Sequence, residues 1–188
     1  MIYKESLKIL NNLVYEGVLA TFNSVEKKVG IEDIFAYALF TNDSASYLGW
    51  TINTNSFYQS STKKIENIQE KIGIKWYYPQ FAFGSGDTQE DDLFNSKIAN
   101  VLANIQKEMD DNNFLDIQSD VYETIITALK LAKTEIVKNK ENDNIVFFLA
   151  IADSDAAEIM QEYSIKKINS QSCFENFQKE MKIFDEVV

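Results

Sequence analysis

Ile34-Phe35-Ala36-Tyr37-Ala38-Leu39-Phe40-Thr41, then Asn42-Asp43-Ser44-Ala45-Ser46, then Tyr47-Leu48-Gly49-Trp50-Thr51-Ile52-Asn53-Thr54 is the stretch on which the fold turns. Two runs of β-forming residues flank a break of turn formers, which is the pattern of a hairpin. The first run is apolar at nearly every position, so both of its faces need cover and it belongs in the middle of a sheet. The second alternates, with Leu48, Trp50 and Ile52 on one face and Tyr47, Gly49 and Thr51 on the other.

Outward from the hairpin, Ile145-Val146-Phe147-Phe148-Leu149-Ala150-Ile151-Ala152 is a second fully apolar strand, too short to cross a bilayer. Ile74-Lys75-Trp76-Tyr77-Tyr78 reads as a short strand that Pro79 confines to an edge. The rest is helical in pattern. Leu7, Leu10, Val14, Val18, Phe22, Val25 and Val29 recur at three- and four-residue steps and predict an amphipathic helix over residues 3–28, stopped by Gly30. Gly17 inside this stripe suggests a close approach of helix to sheet.

Further helices are predicted from Asn55 or Ser56 to Ile72, where Gly73 ends the pattern, and from a Thr88 cap through Phe94, Ile98, Val101, Leu102, Ile105 and Met109. Another follows an Asp120/Glu123 capping box over residues 121–138, and a short one opens at Asp155 and Glu158. Residues 164–169 read as an extended link, and Ser172 and Glu175 cap a last helix carrying Phe174, Phe177, Met181 and Phe184. Strands and helices do not alternate regularly. The expected fold is a single α+β domain over residues 1–188: a small, mostly antiparallel sheet, made of the hairpin at 34–54 and strands near 74–78 and 145–152, with about six helices packed on it.

Composition narrows the chemistry. Histidine and arginine are both absent, so all 18 basic residues are lysines. No imidazole is available as a base near neutral pH, and no guanidinium fork to clamp phosphate. The net charge of −11 opposes nucleic acid and anionic lipid and favours a basic partner. Cys173 is the single cysteine, and residues 1–13 carry Lys4, Glu5 and Lys8 where a signal peptide needs an unbroken apolar core. Both point to a cytoplasmic protein.

Tyr37-Ala38-Leu39-Phe40-Thr41, a polar turn and Asn53-Thr54 before a helix resemble the opening of an uncharacterised bacterial domain family of about this length. Lys75-Trp76 with Phe81, Leu93-Phe94, Ile151-Ala152-Asp153 and Ser164-Ile165-Lys166-Lys167-Ile168-Asn169 fit the same pattern. The family has no agreed catalytic set. Its association with polymorphic-toxin loci implies an immunity role, binding and blocking a toxin.

Among candidate sites, Asp153-Ser154-Asp155 after an apolar strand resembles the paired aspartates of haloacid-dehalogenase phosphatases, and oxygen ligands there suit Mg²⁺. Too few residues follow to build that family's sheet, and helix capping accounts for the pair. Gly84-Ser85-Gly86 lacks the spacing and the histidine of a nucleophile elbow. Cys173 at a helix start lacks a histidine to activate it.

The remaining cluster is aromatic. Trp76, Tyr77, Tyr78 and Phe81 beside Asp87, Glu90, Asp91 and Asp92 make a candidate partner surface, rings at the centre and carboxylates at the rim. The competing reading buries the rings in the core. The sequence thus points to a non-enzymatic cytosolic binding protein, in its sharpest form an immunity protein neutralising a basic toxin, with no cofactor and no metal. The alternative is a small Mg²⁺-dependent hydrolase or transferase using Asp153 and Asp155.

Overall fold

The computed structural model describes residues 2–138, 144–152 and 157–185. Seven α-helices and four strands lie among them. α1 (Ile2–Val29) leads into β1 (Ile34–Asn42) and β2 (Gly49–Thr54), followed by α2 (Asn55–Thr62), α3 (Ile68–Trp76) and the two-residue β3 (Phe83–Gly84). Then come α4 (Ala99–Gln106), α5 (Phe114–Val137), β4 (Val146–Ala152), α6 (Ala157–Ile168) and α7 (Gln171–Asp185).

The sheet order is β3-β2-β1-β4, with β1/β2 and β2/β3 antiparallel and β4 parallel to β1, so the α+β fold holds a mostly antiparallel sheet with one parallel pair. β1 is central, as its unbroken apolar run requires. Tyr37, Leu39, Trp50, Ile52, Phe147 and Leu149 face a large core closed by α1, α4 and α5. Ala36, Ala38, Phe148 and Ala150 face a smaller one built with α3, α6 and α7, where Ile72, Trp76, Ile165, Phe174 and Phe177 are buried. The hairpin turn is held from outside: Tyr122 donates to the carbonyls of Asn42 and Asp43, and Gln106 to that of Ser44.

Several expected elements differ. Residues 74–78 do not form a strand: Ile74 to Trp76 close α3, and Tyr78–Gln80 is a 3-10 turn. Ile72 and Trp76, four apart, fall on one buried face, so a helical period overrides the β preference of the aromatic run. The helix expected from Asn55 to Ile72 is two. Ser60 and Thr62 hydroxyls bond back to the carbonyls of Phe57 and Tyr58, a local competitor of helix continuation, and Asn67 caps a fresh start by accepting from the amides of Gln69 and Glu70. Thr54, one residue earlier than expected, caps α2.

The helix expected from Thr88 is broken into a 3-10 turn at Gln89–Asp91, a π-helical stretch at Leu93–Ile98 and α4. Thr88 Oγ1 is buried without a hydrogen-bond partner among the described residues, so it caps none of them. Asp91 is drawn inward to bind Trp50 Nε1 at 2.6 Å and the Gly86 amide, and Phe94 packs onto Gly17 of α1. Gly17 therefore marks an approach to a helical neighbour, not to the sheet. α5 starts at Phe114, ahead of the capping-box pattern, and Asp120 and Glu123 lie inside it, where they accept from Tyr3 and Lys167 instead of capping.

Residues 164–169 belong to the end of α6 and the turn after it, not to a link, and they close the sheet. Asn169 accepts from the Phe147 amide at 2.9 Å and donates to its carbonyl at 2.8 Å. Ser164 Oγ accepts from the Leu149 amide at 2.9 Å and lies 3.1 Å from its carbonyl. Side chains at the end of α6 and in the turn after it thus stand in for a fifth strand along the outer edge of β4. No helix among the described residues is long and apolar enough to cross a membrane.

Candidate functional site

Beyond the carboxyl ends of the parallel pair β1 and β4, the sheet opens into a cleft of about 830 Å³. Phe40 and Ala150 to Ala152 form its floor, and the 76–87 segment forms one wall. Glu158 and Gln161 of α6 and Met181 and Phe184 of α7 form the opposite side. Small side chains make the space: Gly49 leaves the Phe40 ring in place where a Cβ would fall 2.3 Å from it, and Ala150 leaves the end of β4 low.

The wall is an aromatic segment folded back on the sheet. Pro79 sits in the 3-10 turn, where its missing amide costs nothing. Tyr78 stacks on Phe40 with ring centroids 5.2 Å apart, Phe81 meets Phe148 edge-on at 6.2 Å, and Trp76 meets Phe177 at 5.1 Å with the rings perpendicular. Thr51 of β2 donates to the Phe83 carbonyl at 2.7 Å and pins the segment down. Trp76 is buried and its indole donates to Glu180 of α7 at 2.7 Å; the same carboxylate takes Lys75 Nζ at 2.6 Å. Tyr77, by contrast, is 55% exposed. The ring that faces water is Tyr77, while Tyr78 is half-buried.

Trp76, Tyr77, Tyr78, Phe81 and Asp87 are thus brought together on one cleft. Asp91 is not at the rim: it is 8% exposed and serves the core as the acceptor for Trp50. Its charge also reaches Tyr37. Burial pushes that hydroxyl well above the ordinary phenol range, a hydrogen bond shared with Thr21 opposes the shift, and Asp91 adds to it. Asp92 is exposed but does not line the cleft. The side chain of Glu90, and residues Asp153 and Asp155, lie outside the described residues.

Phe40, Gln161, Glu158, Met181 and Phe184 were not singled out by sequence reasoning. They meet only through tertiary packing; the one signal was the apolar stripe of the last helix, which includes Met181 and Phe184. Among the described residues the lining includes the carboxylates of Asp87 and Glu158 and no lysine. Lys28 Nζ stands 5.9 Å from the centre of the Phe83 ring and donates to the Asp87 carbonyl, so a cation borders these carboxylates, and the ring faces suit apolar or cationic groups. A volume of about 830 Å³ lies within the roughly 300–1,000 Å³ typical of ligand pockets.

The profile of a family described as a domain of unknown function, DUF4303, matches residues 14–170. No curated protein and no solved structure matches the chain.

Proposed function

The chain belongs to the DUF4303 family, and from that premise and the geometry of the cleft we propose that it is a non-catalytic binding protein whose partner is a basic protein. The observation that carries this reading is the cleft itself: aromatic walls, carboxylates in the lining, and no lysine among its described residues. Desolvated rings supply most of the affinity in protein interfaces, and surrounding charge selects the partner. The chain's charge of −11 and its lack of histidine favour docking over acid–base catalysis. In its sharper form the reading is that of an immunity protein neutralising a toxin, which rests on the resemblance noted from the sequence.

The test uses surface plasmon resonance against the product of the neighbouring gene. Tyr77→Ala removes an exposed ring and leaves the core untouched; it should raise the dissociation rate about tenfold or more. Ala82→Trp fills the cleft from its own wall and should abolish binding. Unchanged kinetics in both variants, with circular dichroism showing an intact fold, would remove the cleft from the interface.

A further inference from the structure

The cleft does not end at α7. Glu158, Gln161 and Met181 line both it and a second, smaller depression of about 230 Å³ that runs between α6 and α7. Cleft and furrow therefore adjoin across a shared wall. The furrow adds Glu162 and Asp185 to Glu158, against Lys182 as its one cation among the described residues. Glu162 accepts from Gln178 at 2.7 Å, whereas Glu158 and Asp185 have no hydrogen bond or ion pair to another described residue. The two spaces differ in chemistry and in size. The larger, ring-lined one suits a bulky apolar side chain. The smaller, acidic one has room for the stem of a lysine or arginine, whose charge the carboxylates would meet.

We infer that the partner segment recognised here carries a large apolar side chain beside lysine or arginine, the first seated in the cleft and the second in the furrow. This rests on the reading of the cleft as a docking site and adds the order of chemistry along the partner. It also assigns Lys182 an opposing role, because it lines the furrow that receives the partner's cation.

Isothermal titration at low ionic strength with three capped peptides tests the inference: tryptophan–lysine–lysine, tryptophan–glutamate–glutamate and glycine–lysine–lysine. The first should bind at least about tenfold more tightly than either of the others. Glu158→Lys combined with Glu162→Lys, both on exposed positions, should remove that preference, and Lys182→Glu should strengthen it. Equal binding of the first two peptides would overturn the role of the furrow, and equal binding of the first and third would overturn the anchor. No binding of any peptide would overturn the inference as a whole. The docking reading is judged separately, since Ala82→Trp would still abolish capture of the neighbouring gene's product whichever peptides bind.

Discussion

Asn169 uses every hydrogen-bonding position of its amide. Its oxygen accepts from the Phe147 amide and from Lys133, and its nitrogen donates to the carbonyls of Phe147 and Ile165. Lys133 is 3% exposed, so the same side chain serves both a sheet edge and a buried ammonium. Leaving a buried backbone group unpaired costs about 1–3 kcal/mol. Asn169→Ala is therefore expected to lower unfolding stability by about 2–4 kcal/mol, read from the urea midpoint at unchanged slope. A loss under about 0.5 kcal/mol would mean that the edge of β4 is satisfied without it. Nothing in the sequence announces this role, because Ser164 and Asn169 find β4 only after α6 has docked. Asp91 makes the same point from the other direction: its position in an acidic run reads as a solvated rim, and the buried indole of Trp50 claims it. A buried donor outweighs the preference of one carboxylate for water.

At the scale of elements, the stripe of α1 and the apolar runs of β1 and β4 were legible because a long period or an unbroken run admits one reading. The aromatic run of 74–78 was not, since a short apolar segment fits a strand and the last turn of a helix alike. Two glycines give that distinction a measurable form. Gly73 lies inside α3, and a Cβ there meets only Phe184, at 3.7 Å, an ordinary contact. Gly17 lies inside α1, where a Cβ would fall 2.9 Å from the ring of Phe94, a buried side chain with little room to yield. Gly73→Ala should then stabilise by about 0.5–1 kcal/mol through helix propensity, and Gly17→Ala should destabilise by about 1–3 kcal/mol through overpacking. Thermal melts of the two variants should shift in opposite directions. A destabilised Gly73→Ala protein would contradict the helical assignment of that segment, and a stabilised Gly17→Ala protein would contradict the contact with Phe94.

Over the whole molecule, helices cover both faces of a four-stranded sheet, and Ser164 of α6 with Asn169 just after it cover one edge of it. The candidate site forms where this cover is incomplete, at the carboxyl ends of β1 and β4, and its lining comes from positions as far apart in sequence as Phe40 and Phe184. Its aromatic wall could be picked out of the sequence as a local cluster, but the opposite wall could not, because α6 and α7 reach it only through the fold.

A net charge of −11 acts at this same scale, beyond any one contact. Long-range attraction to a basic partner raises the rate of encounter, and salt screens it over a length of about 8 Å at physiological ionic strength. The rings of the cleft act only after contact and are indifferent to screening. The association rate with the neighbouring gene's product is therefore expected to fall about tenfold or more between low and high salt, while the dissociation rate changes little. Asp92→Lys, exposed and outside the cleft lining, should flatten the salt dependence without altering dissociation. Salt that speeds dissociation while leaving association unchanged would place the essential charges inside the contact and overturn long-range steering.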